Sequence, residues 1–256
     1  MSQPGGQLLV VDFDFFFPVP PSDTEQYGLF EWAHAESEFF IQPGIWYSRA
    51  SSFCLQGLPL PQVNDEWEDW WPRFNIAPDA PLFISESNCT VLNSQVGPVD
   101  GIWLFDAHHD AGYSRERAAQ AVRTGRWTCE DWMYYYGTLI GADRLHMRYP
   151  RHRPGAFTEE PAPQLEGLDR KFYDPDEQTP RFDKVFVCHS GAWVPPWCDP
   201  QFKQFVQRAG RPARALPPPP AEREWDPDQL ETFSGALRQV LVDAAVRPRP
   251  PAVAKR

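Results

Sequence analysis

Residues 99–110 read VDGIWLFDAHHD, a run of apolar residues that ends in two acids and two imidazoles. A short apolar run of this kind, rich in aromatic and branched side chains, suits a strand buried on both faces, as in a parallel sheet. Upstream, QLLVVDFDFFF (7–17) has the same character, is bounded by Pro18, and predicts a buried strand ending near Asp12. APLFISES (80–87) and FDKVFVCHSG (182–191) are two further strand candidates. Between and after them lie helical patterns. ERAAQAVRTG (116–125) has Gly125 as its stop, and DWMYYYGTLIGADRLHMRYP (131–150) predicts a helix followed by a strand. EWAHAESEFF (31–40) has helical spacing closed by Pro43-Gly44, and NDEWEDWWPRF (64–74) predicts an amphipathic helix ended by Pro72. DPDQLETFSGALRQVLVDAA (226–245) predicts the last helix. Strands alternating with helices define a three-layer α/β/α architecture around a mostly parallel sheet.

The domain organisation follows from the same patterns. Residues 1–208 form one α/β domain, with 151–181, rich in proline and acids, as a long loop. Residues 209–225, including Pro217 to Pro220, read as a stiff connector, and the helix at 226–245 packs back on the domain. The tail, 246–256, reads as disordered.

Composition narrows the function classes. With 24 basic and 35 acidic residues among 256, the net charge of −11 argues against a nucleic-acid or anionic-membrane surface and suits a cationic substrate. No stretch approaches the ~20 apolar residues of a membrane span, and the N-terminus lacks the pattern of a secretory signal. Five widely spaced cysteines without a CxxC pair read as reduced thiols of a cytoplasmic protein. The 29 prolines, 11 tryptophans and 18 phenylalanines predict irregular segments pinned by aromatic side chains.

Three strands carry polar residues at their C-terminal ends: Asp12 and Asp14; Asp106, His108 and Asp110; His189 and Ser190. That edge is where open α/β folds build their sites. In extended backbone Asp106, His108 and Asp110 project to one side while His109 faces away, and Asp12 and Asp14 share a face likewise. Carboxylates packed behind apolar strands repel unless a cation sits between them. Four carboxylates and one imidazole balance two divalent cations, and oxygen-rich ligation favours Mn²⁺.

LFDAHHD and VVDFDFF together resemble the Asp-x-His-x-Asp and Asp-x-Asp signatures of the arginase-fold ureohydrolases. The aromatic-rich form is most similar to the branch that includes peptide arginases, which convert peptidyl arginine to ornithine. The resemblance covers the two motifs and their flanks. It implies an arginase/deacetylase-like fold and two Mn²⁺ per chain. Asp12 and Asp106 would bridge, His108 and Asp14 would complete one metal, and Asp110 would complete the other and orient the attacking hydroxide. Two departures stand out. Asp-x-Asp precedes Asp-x-His-x-Asp here, the reverse of the family, which implies a permuted strand order or a different fold. The family's upstream histidine is also missing: LFISESNCTVL offers only Glu86 and Asn88, so one metal would be weakly held or absent.

The remaining candidates are His189 as a ligand or proton shuttle, Asp131 as a guanidinium partner, and Tyr113 and Trp193 as pocket walls. The expected function is a binuclear Mn²⁺ hydrolase acting on a guanidinium, in free arginine or an arginyl peptide. One alternative is a haloacid-dehalogenase-type phosphohydrolase using Asp12, Asp14 and Mg²⁺, although Phe16 stands where that class has a hydroxyl residue. The other is a non-catalytic arginase-like domain that binds a peptide or protein. The oligomeric state is not encoded in these patterns.

Overall fold

The computed structural model describes residues 5–18, 43–153 and 162–246. Seven strands form one sheet in which every ladder is parallel, in the order β5-β4-β3-β1-β6-β2-β7. They are β1 (Gly6–Asp12), β2 (Leu82–Ser85), β3 (Val99–Phe105), β4 (Leu145–Tyr149), β5 (Asp169–Phe172), β6 (Lys184–Cys188) and β7 (Ala213–Ala215). Five α-helices are found among the described residues. They are α1 (Pro43–Gln56), α2 (Arg115–Thr124), α3 (Trp132–Ile140), α4 (Asp199–Arg208) and α5 (Pro227–Val246). The three-layer α/β/α expectation therefore holds.

The alternation of side chains along β1 divides the core in two. Leu9 and Val11 point into a cluster with Phe105, Trp70, Phe202 and Phe205, while Leu8 and Val10 join Trp132, Met133 and Tyr136 of α3. The first cluster explains the phenylalanine run after β1. Phe13 to Phe16 form one 3₁₀ turn rather than more strand, and Phe13, Phe15 and Phe16 are fully buried. Phe15 and Phe16 meet the Trp70 ring at 5.1 and 5.0 Å, and Phe13 meets Phe202 at 5.3 Å. Each such phenylalanine contributes roughly 2–3 kcal/mol by leaving water, which anchors a turn that has little regular structure of its own.

Several boundaries depart from expectation. NDEWEDWWPRF forms two short 3₁₀ turns, Asp65–Trp67 and Trp71–Arg73, because Asn64 caps the first and Pro72 leaves no length for a helix. Pro43-Gly44 opens α1 instead of closing a helix, as proline suits a first turn that needs no N–H donor. The segment 151–181 contains β5, and the connector 209–225 contains β7, the sheet's edge strand. Gly125 ends α2 as expected, in the left-handed conformation at φ 65°. Leu230 and Ser234, one turn apart on α5, pack on α1, where the Ser234 and Ser51 hydroxyls lie 3.2 Å apart. The predicted helix at 31–40 and nearly all of the predicted tail fall outside the described residues.

Candidate metal centre

The site lies past the carboxyl ends of the central strands, and the register explains why. Val11 pairs with Phe105 and Asp12 pairs with Cys188. Asp12, Asp106 and His189 therefore leave the sheet at nearly one level. Beyond that edge the extended geometry expected from the sequence is lost. Asp12 ends β1 and caps the 3₁₀ turn, its Oδ1 accepting from Asp14 N at 3.1 Å. Residues 106–110 bend instead of continuing β3, and Asp110 takes φ 50°, a left-handed value uncommon outside glycine. Convergence comes from these bends and not from the two-residue period of a strand.

Asp14, Asp106 and His108 offer ligand atoms that all lie within 4.8 Å of one another. His108 Nδ1 is 3.1 Å from Asp14 Oδ2 and 3.6 Å from Asp106 Oδ1. Backbone donors hold these acids: Ala107 N–H reaches Asp14 Oδ1 at 3.3 Å and His108 N–H reaches Asp106 Oδ1 at 2.8 Å. Asn88 lies on the other side. Its Nδ2 donates to Asp12 Oδ2 at 2.7 Å, Asp106 Oδ2 at 2.9 Å and Asp110 Oδ2 at 3.2 Å. Trp132 Nε1 donates to the same Asp110 oxygen at 2.8 Å. All four acids and Asn88 are buried, and only His108 keeps appreciable exposure, at 23%.

The electrostatics match this crowding. Burial, then the charges of Asp14 and Asp106, push Asp12 well above the usual carboxylate range. Burial, then Asp14 and Asp110, do the same to Asp106. Burial alone would raise Asp14 too, but hydrogen bonding and charge attraction from His108 outweigh it and hold Asp14 low. Without a compensating cation the group relieves its repulsion by keeping protons. A divalent cation would relieve it without protons, and carboxylates plus one imidazole are a donor set that could hold one.

The other sequence candidates fall in different places. His189 is fully buried, with Nδ1 2.9 Å from Glu86 Oε2 and Nε2 3.1 Å from Asp199 Oδ1. Both ring nitrogens are thus engaged away from the metal group, so a ligand or shuttle role does not fit, and Glu86 is its partner rather than a ligand. Arg223 completes this second cluster, reaching Asp199 through Nε at 3.1 Å and also through Nη2. Neither Asp199 nor Arg223 was legible as part of a site, since no local motif links them to His189. His109 turns inward, accepts from Ala111 N–H at 3.0 Å and stacks on Tyr113 at 4.2 Å. Tyr113 in turn accepts from Asp110 N–H at 3.4 Å. Trp193 does reach the site, its ring 4.7 Å from that of His108. Asp131 stands at the start of α3 and accepts from Thr128 N–H at 2.7 Å, which gives it a turn to hold.

The fold and site define a class in plain terms: a parallel α/β protein with an acidic, imidazole-bearing centre at its carboxyl edge. Comparison with protein-family models, curated proteins and solved structures finds no match for the chain.

Proposed function

We propose that the chain is a divalent-metal-dependent hydrolase acting on a C–N bond of a guanidinium, in arginine or in an arginyl side chain of a peptide. The observation that carries this reading is the meeting of both acidic motifs, from β1 and β3, in one buried group. Asp14, Asp106 and His108 would hold a cation, with Asp12 and Asp110 available to a second. Bound there, Mn²⁺ would polarise water and lower its pKa towards neutrality. The chain's own residues would supply the rest. Asp110, which accepts from Trp132, would take a proton from that water, and Trp193 beside His108 would offer a face on which a planar cation stacks.

The resemblance of LFDAHHD and VVDFDFF to the arginase-fold signatures supports the same chemistry, and the net charge of −11 favours a cationic substrate. No described helix is long and apolar enough to cross a membrane, and all five cysteines are free thiols, which accords with a cytoplasmic location as part of the proposal. The phosphohydrolase reading gains no support, because Asp12 is shared with the Asp106 group and has both oxygens engaged. A non-catalytic binding domain is favoured by one observation, the Asn88 amide among the carboxylates. Urea release from arginine and from arginyl peptides, with Mn²⁺-loaded protein, tests the proposal. Loaded protein that releases urea from neither leaves the binding-domain reading in its place.

A further inference from the structure

Asn88 is 2% exposed, and its two amide ends are treated unequally. Nδ2 has three carboxylate acceptors for two hydrogens, while Oδ1 is buried with no hydrogen-bond partner among the described residues. A buried carbonyl left bare is costly, and its cost here is offset by the charge-assisted bonds at the other end. Nδ2 thus sits where positive charge is wanted, on the side of Asp106 opposite His108. Asp12, Asp106 and Asp110 each have the oxygen that faces this side engaged by Asn88.

We propose that Asn88 gates a second cation: its amide N–H groups occupy the Asp12/Asp106/Asp110 side, and a second divalent ion enters only when that amide turns away. This inference rests on the metal reading above and adds to it an order of loading. The first cation enters beside Asp14, Asp106 and His108, where no amide must move. The second must displace three hydrogen bonds. Once it is present, turning about Cβ–Cγ brings Oδ1 towards it, an orientation that the bare carboxylates would repel. Donor and acceptor ends of one side chain therefore read whether the second ion is there. A passive missing ligand would behave differently, because truncating it would gain nothing.

The test is a calorimetric titration of the chelator-treated full chain with MnCl₂, with free Mn²⁺ followed by electron paramagnetic resonance. The wild-type chain is expected to bind one ion tightly and a second about 100-fold more weakly, the equivalent of one or two charge-assisted hydrogen bonds. Asn88→Ala is expected to tighten the second ion at least about tenfold, since the tethered amide that must be displaced is gone and a water can supply an oxygen in place of Oδ1. Asn88→Asp, which adds an anionic ligand, is expected to bring the two affinities together. An unchanged or weaker second site in Asn88→Ala would overturn the gate. Two ions of equal affinity in the wild-type chain would overturn it even if no variant folds, while leaving the metal reading standing. A wild-type chain that binds no Mn²⁺ would overturn both.

Discussion

Val11 pairs with Phe105 across the β1–β3 ladder, and each is followed directly by a site carboxylate, Asp12 and Asp106. One register position thus brings together two motifs that lie far apart in the chain. A slip of one residue would send Asp12 and Asp106 to different levels and turn the core side chains of β1 to the wrong faces. The apolar alternation that builds the core is therefore also what aligns the site.

Asp106 joins the two sides of the group, with Oδ2 accepting from Asn88 and Oδ1 facing His108. Asp106→Ala is expected to abolish Mn²⁺ retention while the chain stays folded. Metal content by mass spectrometry, with circular dichroism as the fold control, checks this. Retention at the wild-type level would show that the two motifs do not share an ion.

Metal-free protein is expected to lose stability as the pH rises above about 4, through the raised folded pKa values of Asp12 and Asp106. Asp12 and Asp106 have folded pKa values raised above their ordinary 3.8, so the folded state binds more protons than the unfolded one until the pH passes those folded values. Bound Mn²⁺ would take the place of those protons, so its stabilising effect is expected to be larger at pH 8 than at pH 5. Melting temperatures with EDTA and with MnCl₂ at the two pH values measure it.

The second buried cluster is expected to hold structure and not metal. Arg223→Met leaves Asp199 and Glu86 facing His189 alone, and breaking a buried charge network in this way costs about 3–5 kcal/mol. Urea denaturation will show that loss, whereas Mn²⁺ content of the folded variant will stay at the wild-type level. The cluster also sets a pH window. His189 is raised above 6.5, so its contribution is full below that value and fades as the pH climbs through the folded pKa. Glu86 and Asp199 are lowered from 4.5 and 3.8, so theirs is full above those values and fades in acid. Together they stabilise most between roughly pH 5 and 6.5, and a melting profile of a metal-loaded His189→Gln variant will lack that maximum, because His189 lowers both acids and they raise it.

Phe16→Ala removes one side of the aromatic group under the 3₁₀ turn, where Phe16 meets Phe13, Phe15, Trp70 and Phe205. The expected cost is about 3–5 kcal/mol, read as a lower urea midpoint. Because this turn carries Asp14, Mn²⁺ affinity will fall as well, which an equivalent loss on α5, such as Leu230→Ala, will not reproduce.

Much of the sheet could be read from the chain because β1, β2, β3 and β6 are largely apolar on both faces, as a doubly covered strand must be, while β4 alternates Leu145, Met147 and Tyr149 with His146 and Arg148. β5 and β7 could not, since DRKF and ARA are short, polar edge strands that pair only because a neighbour is already in place. α4 has no counterpart among the helical patterns read from the sequence, although Asp199-Pro200 is a favourable helix start. The five metal-site candidates share one neighbourhood, as their spacing suggested, but Asp14 arrives through a 3₁₀ turn and Asp110 through a left-handed residue. The cluster of Glu86, His189, Asp199 and Arg223 was beyond reach for a different reason. Its members come from four segments that only the folded chain brings together.

The strand order also bears on how the chain is made. β1 is the earliest strand among the described residues, yet it lies between β3 and β6, and the Gln7 N–H bond to Asp183 spans 176 residues. A growing polypeptide can zip β1 to β3 soon after Phe105 is synthesised, but the other side of β1 waits for Val187 and Cys188. Throughout that interval an apolar strand offers unpaired N–H and C=O groups to any passing chain. Nascent fragments ending between Phe105 and Cys188 are thus the ones that will clump without a chaperone, and release from that hazard coincides with completion of the central ladder.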